Sequence, residues 1–428
     1  MGPRPRAFAG LLLVCAGLLV IAAAGDLRQQ MALYLTCWGL AVAGYLLLVS
    51  APRALPLWVV VSAALLLGLA LLPRTPSLSD DIYRYVWDGR VQLAGHNPYL
   101  YPPASSTLDD VAYAQRGLIN HPGVRTIYPP LAELLFAAAA LVGGGIAALK
   151  LLLGLTGLLT AGALALLAPA EKRREALTLY LLCPLVIQET WGSGHIEIAA
   201  VLFAVLGAAL VARGRDGWAG LSLGLGAAVK LTPAVLLIPA LVGGRAKPGR
   251  LIPAFVLAFA LPYVPYLVTG GALGSLQDTG AQPQSNASLF GLLDLVLPYR
   301  AAVVVAAALF VAGAVLIARR LRGRARTAPA FAWAATLFVL LLPVAQPWYW
   351  LTPLTLGIAG GVLLPLWLGL AAPLGYAAFA YPSARRWLQL VTYLPLLTLA
   401  PDLVRWAGRR RRGSAASADA TPVEYPSS

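Results

Sequence analysis

The feature that most restricts this chain is a succession of apolar runs, each close to the length of a bilayer crossing and separated by short polar breaks. A membrane helix needs roughly 17–25 largely apolar residues to bridge a hydrocarbon core of ~30 Å. Runs of that kind lie at 7–24, 31–50, 55–73, 146–169, 174–190, 196–212, 250–269, 299–318, 328–345, 363–380 and 387–402. A hairpin over 217–243 and a short crossing over 350–362 complete the series. The expected fold is an all-α polytopic membrane protein of about 13–14 transmembrane helices.

Composition agrees. Only 11% of the 428 residues are charged and 59% are hydrophobic, where a soluble domain carries about 25% charged residues. A soluble globular enzyme, a disordered chain and a disulfide scaffold are excluded. Cys15, Cys37 and Cys183 fall inside apolar runs and read as small buried residues, not as nucleophiles, ligands or bridges.

The net charge of +15 is informative through its placement. Basic residues cluster between apolar runs, at Lys172 to Arg174, Arg213 and Arg215, Arg245 to Arg250, Arg319 to Arg326, and Arg409 to Arg412. This is the positive-inside pattern of cytoplasmic loops, not a nucleic-acid footprint, and no nucleic-acid partner is expected. With both termini cytoplasmic, 21 basic residues fall inside, 9 outside, and Lys150 and Lys230 in the membrane zone.

On that map residues 74–130 form a large outer loop. The apolar stretch 131–143 is ~13 residues, or about 20 Å of helix, and reads as a juxtamembrane helix. Arg4 and Arg6 before the first apolar run resemble a signal peptide, but a second run follows so closely that an uncleaved first span is expected. Residues 1–402 make one integral membrane domain, and 403–428 a basic, then Ser/Ala-rich cytoplasmic tail expected to be disordered.

Polar chemistry collects on one side. Residues 79–92 read Ser-Asp-Asp-Ile-Tyr-Arg-Tyr-Val-Trp-Asp-Gly-Arg-Val-Gln. Ser79 is the expected N-cap, and Asp80 and Asp81 in the first turn suit the helix dipole. Asp81, Arg84 and Asp88 share a face, and Ile82, Val86, Gly89 and Leu93 another. Gly95 and Pro98 would end the helix. The expectation is an amphipathic helix on the outer membrane surface, anchored by Tyr83, Tyr85 and Trp87.

Further polar residues map to the same side: His121 and Arg125 before Tyr128-Pro129-Pro130, Glu189, His195 and Glu197 around Trp191 to Gly194, Lys230, and Trp348-Tyr349-Trp350 after Gln346-Pro347. An aromatic run such as the last is usually an interfacial belt, and a lone histidine usually structural. Lys230, set between two apolar half-helices, is costly enough to carry a functional reading.

Paired carboxylates beside Arg, Lys and His suit transfer from an anionic lipid to a polar acceptor. A carboxylate removes the proton of an attacking hydroxyl, and cations stabilise a departing phosphate. There is no Walker motif and no dinucleotide fingerprint, so an activated sugar would arrive on a lipid. Asp80 or Asp81 with His195 offers a weak cation site, but no metal-ligand spacing such as His-Glu-x-x-His occurs, and no metal is expected.

Four segments in order, SDDIYRYVWDGRVQLAGHNPY (79–99), IYPPLAELLF (127–136), GSGHIEIA (192–199) and AAVKLTP (227–233), resemble the motifs of GT-C glycosyltransferases. Within them the chain is most similar to the mannosyltransferases of glycosyltransferase family 87 and their bacterial relatives, over about residues 55–350. The resemblance implies a GT-C-like architecture and a polyprenyl-phosphate sugar donor, mannose by default. It also implies inversion at the anomeric carbon and a catalytic aspartate in the first large outer loop. Asp80 is then the leading general base and Asp81 the next. Arg84, Arg90, His195 and Lys230 would hold the donor phosphate or orient the sugar, with Asp88, Tyr128, Glu197, Trp348 and Tyr349 completing the binding set. Ile196-Glu197 stands where relatives often carry Asn-Asp.

No cofactor is implied, since the lipid-phosphate sugar is a co-substrate. The implied partners are that donor, a glycolipid or polysaccharide acceptor, and the bilayer of a cell membrane, with the active site facing outside. The competing class is a transporter or flippase. Lys230 and the short helices suit one, but the one-sided acidic loop does not. An enzyme using lipid-diphosphate donors is a third, minor reading.

Overall fold

The computed structural model describes residues 2–272, 286–394 and 396, and these are helical with no β-strand. The tail at 403–428 and part of the loop after residue 270 lie outside the described residues. In order the chain forms α1 (Pro3–Ala23), α2 (Met31–Ser50), α3 (Leu57–Leu71), α4 (Asp81–Leu93), α5 (Pro130–Leu141), α6 (Ile146–Leu167), α7 (Arg173–Leu181) and α8 (Pro184–Ile187). A π-helical turn (Gln188–Gly192) leads into α9 (Glu197–Ala212), α10 (Asp216–Val229), α11 (Leu237–Val242), α12 (Pro248–Ala260) and α13 (Val264–Val268). Then come α14 (Leu289–Asp294), α15 (Tyr299–Arg320), α16 (Thr327–Leu340), α17 (Leu351–Gly360), α18 (Leu364–Ala371), α19 (Leu374–Ala380) and α20 (Arg385–Tyr393).

Five stretches are long and apolar enough to cross a bilayer by themselves: Pro3–Ala23, Met31–Val49, Ile146–Leu167, Pro248–Val268 and Tyr299–Arg320. Of the other crossings read from sequence, 55–73 and 196–212 are unbroken but shorter, at 15 and 16 residues, while 174–190 and 363–380 are broken helices whose breaks are marked by prolines. Pro184 opens α8 after the end of α7, and Pro373 separates α18 from α19; Pro262 within a 3-10 turn and Pro265 at the start of α13 likewise interrupt the Pro248–Val268 stretch. Each removes an N–H and clashes with the preceding turn. Such breaks survive at membrane depth where protein, not lipid, surrounds the freed backbone groups.

Between helices in lipid, packing replaces the hydrophobic drive, and small residues set the closest approach. α1 and α2 show this directly. A Cβ on Gly10 would stand 2.6 Å from the Gly44 carbonyl oxygen, and one on Gly44 would stand 2.5 Å from that of Gly10. The C-terminal end of α1 is tied to the segment before α4: the Arg74 guanidinium donates to the Ala24 and Gly25 carbonyls, and the Leu27 N–H to Ser77 Oγ at 3.0 Å. The Asp80–Asp81 pair therefore sits at that end of the bundle, one span from the N-terminus of α1.

The segment 131–143 forms α5, whose 12 residues make ~18 Å of helix, short of a crossing. α4, however, is not a surface helix with a solvated face. Residues 82 to 89 and Val91 are all buried, and Leu93 alone of the expected apolar face is exposed, at 47%. Its aromatics are core residues, not lipid anchors. Tyr85 stacks on Phe136 of α5 with ring centroids 4.6 Å apart, and Arg116 lies over Trp87 at 4.8 Å. The polar face faces α5 and the loop between them, which cover it. The N-cap is Asp80, with Ser79 Oγ accepting the Asp81 N–H at 3.3 Å.

Candidate active site

Two carboxylates adjacent in sequence part company in space. Asp80 accepts from the Arg28 guanidinium at 2.9 Å, in a half-exposed pair near the α1–α2 turn. Asp81 accepts from Asn120 Nδ2 at 3.0 Å, and its charge acts on Tyr85, Tyr128, Glu197, Lys230 and Tyr349. Asp81 therefore lies within electrostatic reach of the polar cluster, while Asp80 is paired with Arg28.

That cluster is assembled by the α9–α10 hairpin. α9 and α10 run antiparallel through a turn at residues 213–215, so the first residue of one meets the end of the other. Close packing fixes the register: Ser222 Oγ donates to the Phe203 carbonyl at 2.8 Å. Lys230 caps α10 in extended conformation, φ −157° and ψ 137°, because Pro233 two residues after Leu231 opens a 3-10 turn in place of more α-helix. Its ammonium donates to Glu197 Oε2 and lies 4.0 Å from the centroid of the Tyr349 ring. Glu197 is buried and its Oε1 has no hydrogen-bond partner. An ammonium has three donors, so Lys230 keeps capacity beyond Glu197.

His195 is held beside this pair by the π-helical turn, an element frequent at functional sites. The turn aligns backbone donors unusually: Ser193 N–H reaches the Gln188 carbonyl at 2.7 Å and His195 N–H that of Glu189 at 2.9 Å. Trp191 anchors it between α3 and α6. A Cβ at Gly68 or at Gly154 would stand 2.6 or 2.5 Å from the indole, so only glycine admits the ring at both. The His195 ring stacks on Trp348 with centroids 3.8 Å apart. Its Nδ1 lies 2.8 Å from Glu189 Oε2, although too far out of line for a well-directed hydrogen bond, and Nε2 has no partner. Glu189, fully buried, also accepts from the Tyr376 hydroxyl at 3.1 Å.

Asp81, Tyr128, His195, Glu197, Lys230, Trp348 and Tyr349 are thus joined in one constellation, half-exposed groups over a buried floor. Arg84, Asp88 and Arg90 are not part of it. Arg84 Nε donates to both oxygens of Asp88, at 2.9 and 2.8 Å, and Arg84 Nη1 to the Val124 carbonyl at 2.9 Å. Arg90 donates to the Gly144 and Ala112 carbonyls at 3.1 and 2.9 Å. These side chains fasten α4 to the loop that follows it and to the α5–α6 turn.

Asp88 joins a second carboxyl, Glu133 of α5, which accepts from the Thr126 hydroxyl at 2.6 Å and from Gln92 at 3.0 Å. Burial pushes the Glu133 carboxyl well above its ordinary range, and the neighbouring Asp88 charge pushes the same way. Burial also raises Asp88, against the pull of Arg84. Among the described residues no trio of His, Cys, Asp or Glu side chains is gathered as for a metal ion.

Sequence reading left Asn120, Glu189, Arg28 and Glu133 out of the site set. Glu189 stood in the polar run around His195 and was within reach. Asn120 and Arg28 lie in irregular segments without periodicity to point at them. Asn286, which matches a glycosylation sequon, is buried and its carbonyl accepts from the Tyr393 hydroxyl at 2.7 Å.

An all-helical polytopic membrane protein with a polar constellation at one end of its bundle has the form of a membrane-embedded enzyme. The model of glycosyltransferase family 87 matches residues 126–345, more than half of the chain, and the chain belongs to that family: it is a membrane glycosyltransferase. The match takes in Tyr128, Glu189, His195, Glu197 and Lys230, and leaves Asp81, Trp348 and Tyr349 outside it. No curated protein and no solved structure matches the chain.

Proposed function

We propose that this enzyme moves a sugar, mannose by the family resemblance, from a polyprenyl-phosphate donor to a hydroxyl of a glycolipid or polysaccharide acceptor. The reaction takes place at the outer face of the cell membrane and inverts the anomeric carbon. The observation that carries the reading is Asp81, oriented by Asn120 and within electrostatic reach of the Lys230–Glu197 pair.

In this mechanism the Asp81 carboxylate takes the proton of the acceptor hydroxyl as its oxygen forms the bond to C1 of the sugar. The C1–oxygen bond to the phosphate breaks on the opposite side and leaves polyprenyl phosphate. Lys230 supplies a cation for that leaving group, oriented by Glu197 and the Tyr349 ring. Nε2 of His195 is free to bind sugar or phosphate and Oε1 of Glu197 to accept from a sugar hydroxyl, with Trp348 fixing the imidazole plane. Asp80, paired with Arg28, orders the approach to α4. Cytoplasmic termini and an outward site follow from the basic-residue pattern.

The test is transfer by the purified protein in detergent, with radiolabelled polyprenyl-phosphate mannose and a crude membrane-lipid extract as acceptor. A labelled product of inverted anomeric configuration is expected, lost in Asp81→Asn and kept in Asp80→Asn. The reverse pattern would move the base to Asp80.

A further inference from the structure

The end of the bundle remote from Asp81 carries a second feature that the transfer reaction does not use. A cavity of about 840 Å³ opens between the N-terminus of α1, the α2–α3 turn and the start of α7. Three separate segments each contribute a guanidinium to it: Arg4, Arg53 and Arg174. They meet one carboxylate, Glu175, whose Oε2 is 3.6 Å from Arg53. Arg53 donates to the Glu171 carbonyl at 2.6 Å and Arg174 to that of Leu55, so both are oriented by the backbone. Arg4 is exposed and has no hydrogen-bond or ion-pair partner among the described residues.

Position and lining restrict the occupant. The 21 residues of α1 span ~31 Å, so its first turn lies at the membrane surface opposite the active site. Phe8 lines the cavity, and Phe8 and Leu12, one turn apart, are 47% and 68% exposed. The charged cavity thus runs into an uncovered apolar stripe of α1. A group with a phosphodiester at the interface and an acyl chain beneath it satisfies both halves, and a soluble anion satisfies only the first. Basic pockets between membrane helices on the cytoplasmic side are suited to lipid headgroups.

We propose that this cavity binds the headgroup of an anionic glycerophospholipid of the leaflet opposite the active site. The phosphodiester lies among Arg4, Arg53 and Arg174, and one acyl chain runs along Phe8 and Leu12. The lipid bridges α1, α3 and α7, and α3 leads directly to the Asp80–Asp81 segment.

Native mass spectrometry of the full-length protein, delipidated and exposed to an equimolar mixture of phosphatidylglycerol and phosphatidylcholine, tests this without an activity readout. Wild-type protein should retain phosphatidylglycerol preferentially. Arg4→Gln, at a side chain that holds nothing else together, should lower that retention about fivefold, and Arg4→Gln with Arg53→Gln and Arg174→Gln should erase the preference. Arg319→Gln with Arg320→Gln, basic residues of the same membrane side at the end of α15, should leave it intact. Equal retention of the two lipids, an equal loss in the Arg319/Arg320 variant, or displacement by millimolar inorganic phosphate would each overturn the proposal.

Discussion

Two groups of buried charge lie within the same end of this molecule and are finished in opposite ways. In the α4–α5 module, Arg84, Asp88, Glu133, Gln92 and Thr126 meet one another or a backbone carbonyl under the 94–129 loop, and of their side-chain polar atoms Arg84 Nη2 alone is buried without a partner. In the cleft, Lys230, Glu197, His195 and Asp81 are joined more sparingly: Glu197 Oε1 and His195 Nε2 have no partner, and Asp81 and Lys230 are only half buried. A nearly satisfied network fixes geometry and has little left to offer a ligand. An incompletely satisfied one is held open at a cost in stability, which is reasonable only where substrate completes it. On the proposed mechanism the difference separates residues that shape the loop from those that would meet substrate, although Arg84, Asp88, His195 and Lys230 were equally prominent as polar residues in the sequence.

The comparison breaks most sharply at Asp81. Asp81→Asn keeps a polar group for Asn120 and removes the base, so the transfer rate should fall by roughly 10²–10⁴-fold, while Asp80→Asn changes it by less than about fivefold. Initial rates with radiolabelled donor decide this, and equal losses in both would erase the distinction between the two aspartates.

Next come the ion pairs. Lys230→Met and Arg84→Met each strand a buried carboxylate, Glu197 or Asp88, and each should destabilise the protein by about 3–5 kcal/mol. Adding Glu197→Gln to the first or Asp88→Leu to the second should restore most of the melting temperature in detergent. The double variants should then diverge in activity: Lys230→Met/Glu197→Gln folded but inactive, Arg84→Met/Asp88→Leu folded and active. Two inactive double variants would show that the sealed network also reaches the substrate.

A smaller effect separates the groups by pH. Glu133 has its carboxyl raised by burial and by the neighbouring Asp88 charge. A folded-state value above the unfolded one means that the contribution is full below the ordinary Glu range and is lost as pH rises through the raised folded value. Thermal unfolding across that range should show declining stability with rising pH, and Glu133→Gln should flatten it. The smallest effect is expected at exposed Asp110, whose carboxyl is lowered chiefly by its hydrogen bond with His96. Its contribution is present above the ordinary Asp value and fades on acidification, so Asp110→Asn should leave the neutral-pH melting temperature almost unchanged.

The all-helical membrane architecture was legible because membrane helices are written in run length. The short stretch before α6 was legible as a helix, and its 12 residues match the length read from the sequence. The burial of α4 was not. An amphipathic pattern states that one face is apolar, but Arg84 and Asp88 read the same whether water or protein covers them. Spacing alone also could not separate Asp80 from Asp81, because adjacent residues at a helix start diverge by ~100° and only the partners Arg28 and Asn120 reveal which points where. The link between Glu197 and Lys230 follows from hairpin arithmetic, whereas Trp348 on His195 joins segments that no local pattern relates.

The α9–α10 hairpin also bears on how this protein enters the membrane. Glu197 and Lys230 are 33 residues apart, the length of one helical hairpin, and nothing from the rest of the chain is needed to bring them together. Each charge alone would oppose partition of its helix into lipid, by as much as roughly 2.5–3.5 kcal/mol toward the bilayer centre. A hairpin that leaves the ribosome as a unit can instead present the pair already neutralised. The contact proposed to orient the cation for catalysis is then also the one that eases insertion of its two helices, and a variant lacking either partner would meet its first difficulty during synthesis, before any substrate is bound.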